Sequence, residues 1–150
     1  MRAVIQRVSS ASVVSNGKTT GIIGKGILIL LGIETTDDQS DAEWIADKTW
    51  QMRIFQDNED KMNLTLAETN GELLVISQFT LYASTKKGNR PSFLRSARPE
   101  HATPLYEYFK TYIAMRSGLR VQTGIFGADM KVSLVNDGPV TIILDSKNKE

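Results

Sequence analysis

The sequence predicts an α+β fold: mostly antiparallel β-sheets forming a barrel-like sandwich, with two main helices packed on the outside. Seven or eight short runs read as strands, whereas two stretches carry helical spacing. At least three strand junctions look like hairpins. Two helices are also too few crossovers for a doubly wound parallel sheet. At 150 residues, with no long linker, composition break or internal repeat, the chain reads as a single domain over 1–150.

Residues 2–8 alternate, with Ala3, Ile5 and Arg7 on one face and Val4, Gln6 and Val8 on the other. Strands 11–15 and 19–23 flank Asn16-Gly17-Lys18, and Asn-Gly between short strands is the strongest local hairpin signal. Gly24-Lys25-Gly26 turns the chain into 27–33, which is apolar throughout and so is expected as a central strand covered on both faces. Residues 35–40 offer N-caps, Asp41 and Glu43 suit a first turn, and Trp44, Ile45, Lys48 and Met52 predict a helix to about Arg53. Trp44 and Trp50 read as packing residues. Residues 55–61 read as a polar loop whose acids lack the glycine and terminal glutamate of an EF-hand.

Residues 72–82 read as a strand that starts apolar and ends polar, followed by a basic loop over 83–98. Pro99 suits a first helical position. Leu105, Tyr108, Phe109, Tyr112 and Ile113 form an apolar stripe ended by Ser117-Gly118, with Pro104 tolerable near the start. Strands over 119–123, 130–135 and 140–144 follow, and the tail 146–150 is expected to fray.

The absence of cysteine excludes disulfides, thiolate metal sites and cysteine nucleophiles. The opening residues lack the apolar core of a signal peptide, and the longest apolar run, 26–33, is too short to span a bilayer. A soluble, cytoplasmic protein without a membrane partner is expected. Net charge is +1, so affinity for nucleic acid must come from local patches. No zinc spacing, dinucleotide fingerprint or P-loop is present, so no metal and no cofactor is expected. The single histidine, His101, reads as a solvated helix-start residue. A triad with Ser77 lacks its Gly-x-Ser-x-Gly elbow.

Three segments stand out. Ser77-Gln78-Phe79-Thr80 offers two hydroxyls, an amide and an aromatic face, with Ser77 and Phe79 expected on one side and Gln78 and Thr80 on the other. No partnered base for either hydroxyl is visible. Lys86, Lys87, Arg90, Arg95 and Arg98 fall in a stretch with no acid between Thr80 and Pro99. That pattern suits phosphate contacts, or a solvated basic loop. Asn136-Asp137-Gly138-Pro139-Val140-Thr141 lies between two apolar runs. Gly138-Pro139 reads either as a hairpin turn or as a cis bond aiming neighbouring carbonyls the same way.

Segments 77–81 and 136–141 together resemble the two signature motifs of the D-aminoacyl-tRNA deacylase family. Residues 1–8, the 21–32 region and Lys87-Gly88-Asn89-Arg90-Pro91-Ser92-Phe93 extend the resemblance over essentially the whole chain. The resemblance implies an esterase that frees D-amino acids, and mischarged glycine, from the 3′-terminal ribose of tRNA. It implies a homodimer with active sites at the subunit interface, and aminoacyl-tRNA rather than DNA as partner. Ser77, Gln78, Phe79 and Thr80 would form the catalytic segment. A cis Gly138-Pro139 pair would reach into the other subunit's site and present carbonyl oxygens to the substrate α-amino group. Asn136 and Thr141 would support the pocket, and Lys86, Lys87, Arg90 and Arg95 would hold the acceptor end. Thr80 as nucleophile competes with attack by water assisted by the ribose 2′-hydroxyl, and the missing base favours the second.

Overall fold

The computed structural model describes residues 1–150. A long hairpin frames the sheet. Strand β1 (Arg2–Ser15) is antiparallel to β2 (Lys18–Ile23) and β3 (Gly26–Gly32), which lie end to end along it: Ser15 faces Lys18, Val8 faces Gly26 and Arg2 faces Gly32. Asn16 and Gly17 make the turn at φ 49° and 78°. Positive φ at both positions matches the twist of the flanking strands. The expected strands 2–8 and 11–15 are therefore one. Ser9 and Ser10 are exposed, so the strand continues through them with their hydroxyls in water.

Helix α1 (Gln39–Gln51) starts in a capping box. Asp38 Oδ1 accepts the Ser40 and Asp41 N–H groups at 2.8 and 3.4 Å, and Asp41 Oδ2 accepts the Asp38 N–H at 2.9 Å. The expected polar loop at 55–61 is instead a small hairpin of β4 (Phe55–Gln56) and β5 (Met62–Leu64). Asp57 turns it by accepting the Glu59 and Lys61 N–H groups at 2.8 and 3.1 Å. Strand β6 (Glu72–Ser77) then lies parallel to β3. Helix α2 (Pro99–Ser117) begins at Pro99, runs through Pro104 and closes on Gly118 at φ 68°. It leads to β7 (Val121–Thr123), parallel to β6 and shorter than the expected 119–123.

Strand β8 (Met130–Asp145) pairs antiparallel with β1 along its length. The sheet is thus mixed, with its two parallel pairings bridged by α1 and α2. A Cβ on Gly21 would stand 3.1 Å from the Thr123 carbonyl. Strands β2 and β7 therefore approach closely, and the sheet nearly closes into a barrel. The main core lies between sheet and helices and includes Ile5, Ile29, Ile45, Val75, Tyr106 and Phe109. A smaller cluster of Val8, Ala11, Val13, Ile23, Leu28, Leu74 and Ile76 fills the other face. β3 is covered on both sides, as its apolar run requires.

Three further expectations change. The strand expected over 72–82 ends at Ser77, and Phe79–Tyr82 form a 3₁₀ turn. The hairpin at Gly138-Pro139 does not exist, because both flanks pair with the same strand, Val8 facing Asn136 and Gln6 facing Thr141. Two steps along β1 meet five along β8, and the surplus residues bulge out of a strand that keeps its direction. β8 has no partner beyond β1, and a free edge is where a proline without an N–H is tolerated. The tail docks rather than frays at its start. Ser146 is buried, its N–H meets the Met1 carbonyl at 2.9 Å, and Lys147 Nζ donates to Asp41 at 2.7 Å.

Candidate active site

β6 delivers its last residues out of the core. Ile76 is buried and Ser77 half-buried, and the Gln78 N–H still reaches the Leu31 carbonyl at 2.7 Å. Beyond it the backbone tightens, with the Leu81 N–H on the Gln78 carbonyl at 3.3 Å and the Ala83 N–H on the Thr80 carbonyl at 3.0 Å. The expected alternation therefore stops at Gln78, and Phe79 and Thr80 are both exposed on the turn. Ser77, Gln78 and Phe79 form one wall of a cleft of about 590 Å³, faced by Phe93, Ser96 and Arg98 of the basic loop and by Phe126 and Met130 before and within β8. Phe79 stands edge-on to Phe93 with ring centres 5.0 Å apart, and Ser96 Oγ donates to the Phe79 carbonyl at 2.8 Å. The Gln78 amide donates to Thr80 Oγ1. His101 Nε2 lies 2.9 Å from the Asp37 carbonyl and forms no hydrogen bond with Ser77. A second cleft, about 390 Å³ beside Trp44 and Ile143, contains none of the expected site residues.

The basic loop has two different limbs. Ser84 and Ser92 exchange backbone bonds at 2.8 and 2.9 Å, closing a projection that leaves Lys86, Lys87 and Arg90 exposed around Gly88. Arg95 is not free in the same sense. Its Nε and Nη2 lie 2.7 and 2.6 Å from Glu34 Oε1, and its guanidinium stands 5.3 Å from the Tyr82 ring centre. Glu34 and Tyr82 were not singled out by the sequence, where neither has a neighbour that marks it.

The Gly138-Pro139 bond is cis, and both residues are exposed. Their support comes from beneath. Arg7 is 5% exposed, and it donates from Nε to the Asp137 carbonyl at 2.8 Å and from Nη1 to the Ile54 carbonyl at 2.5 Å. Asn136 spans the bulge: its Oδ1 accepts the Val140 N–H at 2.8 Å and its Nδ2 donates to Thr141 Oγ1 at 3.1 Å. Arg7 was legible in principle. It shares a strand face with Ala3 and Ile5, and an arginine on a buried face needs specific acceptors. A Cβ on Gly138, at φ 144°, would stand 2.8 Å from Val140 Cγ2 and 3.0 Å from both the Val140 nitrogen and Arg7 Nη2.

The structure does not bring the two motifs together within one chain. Ser77 lies in the register row of Leu31, Ala3 and Leu144, whereas the bulge lies beside Arg7, in the row of Ile27 and Leu73. Four residues along the strands and three strand spacings separate them, roughly 13 Å by 14 Å. Neither Gly138 nor Pro139 lines the cleft. Leu134, Val135 and Ile143 on β8 are exposed by 37%, 57% and 73%, so the strand that carries the bulge also carries uncovered apolar surface.

The chain matches the family described as D-Tyr-tRNA(Tyr) deacylase over residues 4–145. It is similar to the D-aminoacyl-tRNA deacylases of Flavobacterium psychrophilum, at 57% identity over 150 residues, and of Cytophaga hutchinsonii, at 59%, with 100% of both chains covered in each case. Among solved structures it is similar to a c-Myc DNA unwinding element binding protein, with TM-score 0.89, 39% identity and 97% and 98% of the two chains covered. A probable eukaryotic D-amino acid tRNA deacylase shares the fold at TM-score 0.82 and 16% identity, over 95% and 97% of the chains.

Proposed function

The chain belongs to the D-Tyr-tRNA(Tyr) deacylase family, and from that premise we propose that it hydrolyses the ester joining a D-amino acid, or mischarged glycine, to the 3′-terminal ribose of tRNA. The observation that carries this reading is the cleft walled by Ser77, Gln78 and Phe79, which opens against the loop bearing Lys86, Lys87 and Arg90. An aminoacyl ester and its adenosine would occupy the cleft, and the cations would take backbone phosphates of the acceptor end. No helix is long and apolar enough to cross a membrane, and the proposed site of action is the cytoplasm.

In this reading water is the nucleophile. Thr80 Oγ1 accepts from the Gln78 amide, which is not a base. The ribose 2′-hydroxyl activates the water. Ser77, Gln78, Phe79 and Thr80 hold the ester in place, and backbone N–H groups stabilise the developing oxyanion.

Selection of the D-enantiomer is assigned to a second copy of the chain. The two motifs stand apart within one subunit, and the bulge projects from a free edge strand that also exposes Leu134, Val135 and Ile143. A homodimer would cover that apolar surface and set the partner's Gly138-Pro139 carbonyls against the substrate α-amino group. An L side chain would meet fixed backbone, a D side chain would point out, and glycine would pass. Steric exclusion of this kind discriminates more strongly than one added favourable contact.

Matched deacylation of D- and L-aminoacyl-tRNA tests the reading. Hydrolysis of the D-form alone is expected. Hydrolysis of neither would leave a non-catalytic RNA-binding module, and equal hydrolysis of both would remove the filter. Replacing Lys86, Lys87 and Arg90 with glutamine should weaken binding of all tRNAs. The log–log salt slope should flatten by roughly 0.7 to 0.9 for every phosphate that is no longer neutralised.

A further inference from the structure

Arg95 lies beside the site with its side chain 55% exposed, yet the Nε–Nη2 edge of its guanidinium is committed to the protein. Glu34 is 9% exposed, and the contacts of its carboxylate are with Arg95 Nε and Nη2 at 2.7 and 2.6 Å. If Arg95 swung out to a phosphate, that mostly buried carboxylate would lose both of its side-chain hydrogen bonds and its direct ion pair, which is unfavourable. The backbone around Arg95 is fixed as well. The Thr35 N–H meets the Arg95 carbonyl at 3.1 Å, and the Ala97 N–H meets the Ile33 carbonyl at 2.9 Å.

Arg95 also touches the catalytic turn. Its guanidinium stands 5.3 Å from the centre of the Tyr82 ring, and that of Arg2 stands 4.8 Å from the same ring. Arg2 is in turn held by Asp145 at 2.6 Å and reaches the Leu81 carbonyl at 3.3 Å. The Tyr82 ring is buried and its hydroxyl has no hydrogen-bond partner, so its contribution is the ring face offered to two cations. At the other end of the turn Ser96, the neighbour of Arg95, donates to the Phe79 carbonyl at 2.8 Å.

We infer that Glu34, Arg95 and Tyr82 form a clamp that fixes the Phe79–Tyr82 turn against the return limb of the basic loop, so that Arg95 is a positioning residue and not an RNA contact. The inference rests on the deacylase reading, since what the clamp sets is where Phe79 and Thr80 stand relative to the ester. The division of labour within the loop follows: the projecting cations Lys86, Lys87 and Arg90 face the nucleic acid, and the Nε–Nη2 edge of Arg95 is held by Glu34.

The two roles of Arg95 predict opposite behaviour for Glu34. If Arg95 bound phosphate, Glu34→Gln would release it and remove a repelling charge, so tRNA would bind more tightly. If Arg95 positions the turn, Glu34→Gln and Arg95→Gln should each lower kcat on D-aminoacyl-tRNA by about tenfold. KM for tRNA and its salt dependence should then stay within about twofold, and the double variant should be no worse than either single one. Arg95→Lys, which keeps the charge and loses the fork, should show the same kcat loss and serves if Arg95→Gln folds poorly. Hydrogen exchange at the Leu81 and Ala83 amides should quicken in Glu34→Gln, a readout that needs no substrate. A raised KM with a flatter salt slope in Arg95→Gln, an unchanged kcat in both variants, or unchanged exchange would each overturn the clamp. Failure of the unaltered protein to hydrolyse D-aminoacyl-tRNA would overturn the deacylase reading instead, and the exchange result would still decide the clamp.

Discussion

The Phe79–Tyr82 turn and the Gly138-Pro139 bulge are both short departures from regular strand, and they are secured by opposite means. Carboxylate ion pairs surround the turn: Glu34 holds Arg95, and Asp145 holds Arg2. Its own side chains, Phe79 and Thr80, are presented outward. The bulge is held mainly by hydrogen bonds between uncharged acceptors and their donors: Arg7 donates to two carbonyls, and Asn136 accepts from the Val140 N–H and donates to Thr141, with the half-exposed Asp137 carboxylate only 4.0 Å from Arg7 Nε. What it presents is backbone. A surface made of side chains should respond to substitution in graded steps. One made of backbone should fail when a single Cβ is added.

Gly138→Ala is therefore expected to have the largest effect. Its φ of 144° is rarely adopted by an L-residue, and the new methyl would stand 2.8 Å from Val140 Cγ2. Deacylation of D-aminoacyl-tRNA should fall by about 100-fold or more, equivalent to roughly 2.7 kcal/mol of transition-state stabilisation. Melting temperature should fall by a few degrees as well, because the methyl crowds the buried Val140 and Arg7, so the activity loss is read at a temperature where the variant is folded. Activity within a few-fold of the unaltered protein would show that this backbone does not touch the substrate.

Acid separates the two regions next. The Asp41 carboxyl is held down at about 2 from an ordinary 3.8: burial opposes ionisation and is outweighed by hydrogen bonds from Lys147, Ser146 and the Asp38 N–H. Asp145 is also lowered, burial again being overcome by its bond to Arg2. A lowered folded-state value adds stability that is complete above 3.8 and is lost as pH falls through about 2. Asp41 alone should then account for about 2 kcal/mol between pH 4 and pH 2. No carboxylate takes part in the hydrogen bonds that Arg7 and Asn136 make to hold the bulge. Exchange at the Leu81 and Ser146 amides, corrected for intrinsic rate, should rise with acidification before exchange at the Val140 amide. Simultaneous loss would show that the two regions share one support.

The elements most legible in the sequence were those whose cause is local. The Asn16-Gly17 hairpin, the doubly buried run of β3, the Asp38 cap region and the helix opening at Pro99 all follow from residue types and spacing. The joins depended on partners distant in sequence. Residues 2–8 and 11–15 form one strand because β8 pairs across both. Gly138-Pro139 looked like a turn because Pro139 lacks an N–H, and only the common partner β1 shows that the chain runs on. Ser77 to Thr80 stand out in the sequence by residue type and by their motif resemblance, but strand alternation does not reach past Gln78, where the strand gives way to a 3₁₀ turn. The sequence marks Arg95 only by its charge, because its partner Glu34 lies 61 positions away.

Arg7→Lys should act more mildly than the glycine change, through the same bulge. One ammonium cannot supply the two-pronged donation to Asp137 and Ile54 carbonyls that Arg7 makes from Nε and Nη1. The bulge should loosen without being displaced. Discrimination between D- and L-aminoacyl-tRNA should fall by about tenfold, with a stability cost of roughly 1 to 2 kcal/mol for the acceptor left unpaired. A drop in D-hydrolysis with L-rejection intact would place Arg7 with the chemistry and not with the filter.

Thr80→Ala should have the smallest effect, and it probes the turn's side of the comparison most directly. The hydroxyl is exposed and accepts a hydrogen bond from Gln78, with no imidazole or carboxylate bonded to it. Its removal leaves the Gln78 amide to water, which costs little at an exposed site. Deacylation of D-aminoacyl-tRNA should stay within about threefold, equivalent to less than roughly 0.7 kcal/mol. If Thr80 were the nucleophile, the loss would approach that of Gly138→Ala and an acyl-enzyme would no longer accumulate in single-turnover reactions. A large loss with tRNA affinity and melting temperature intact would move the covalent chemistry into the turn. A small one leaves the turn as the element that positions the ester and the bulge as the element that excludes the wrong hand.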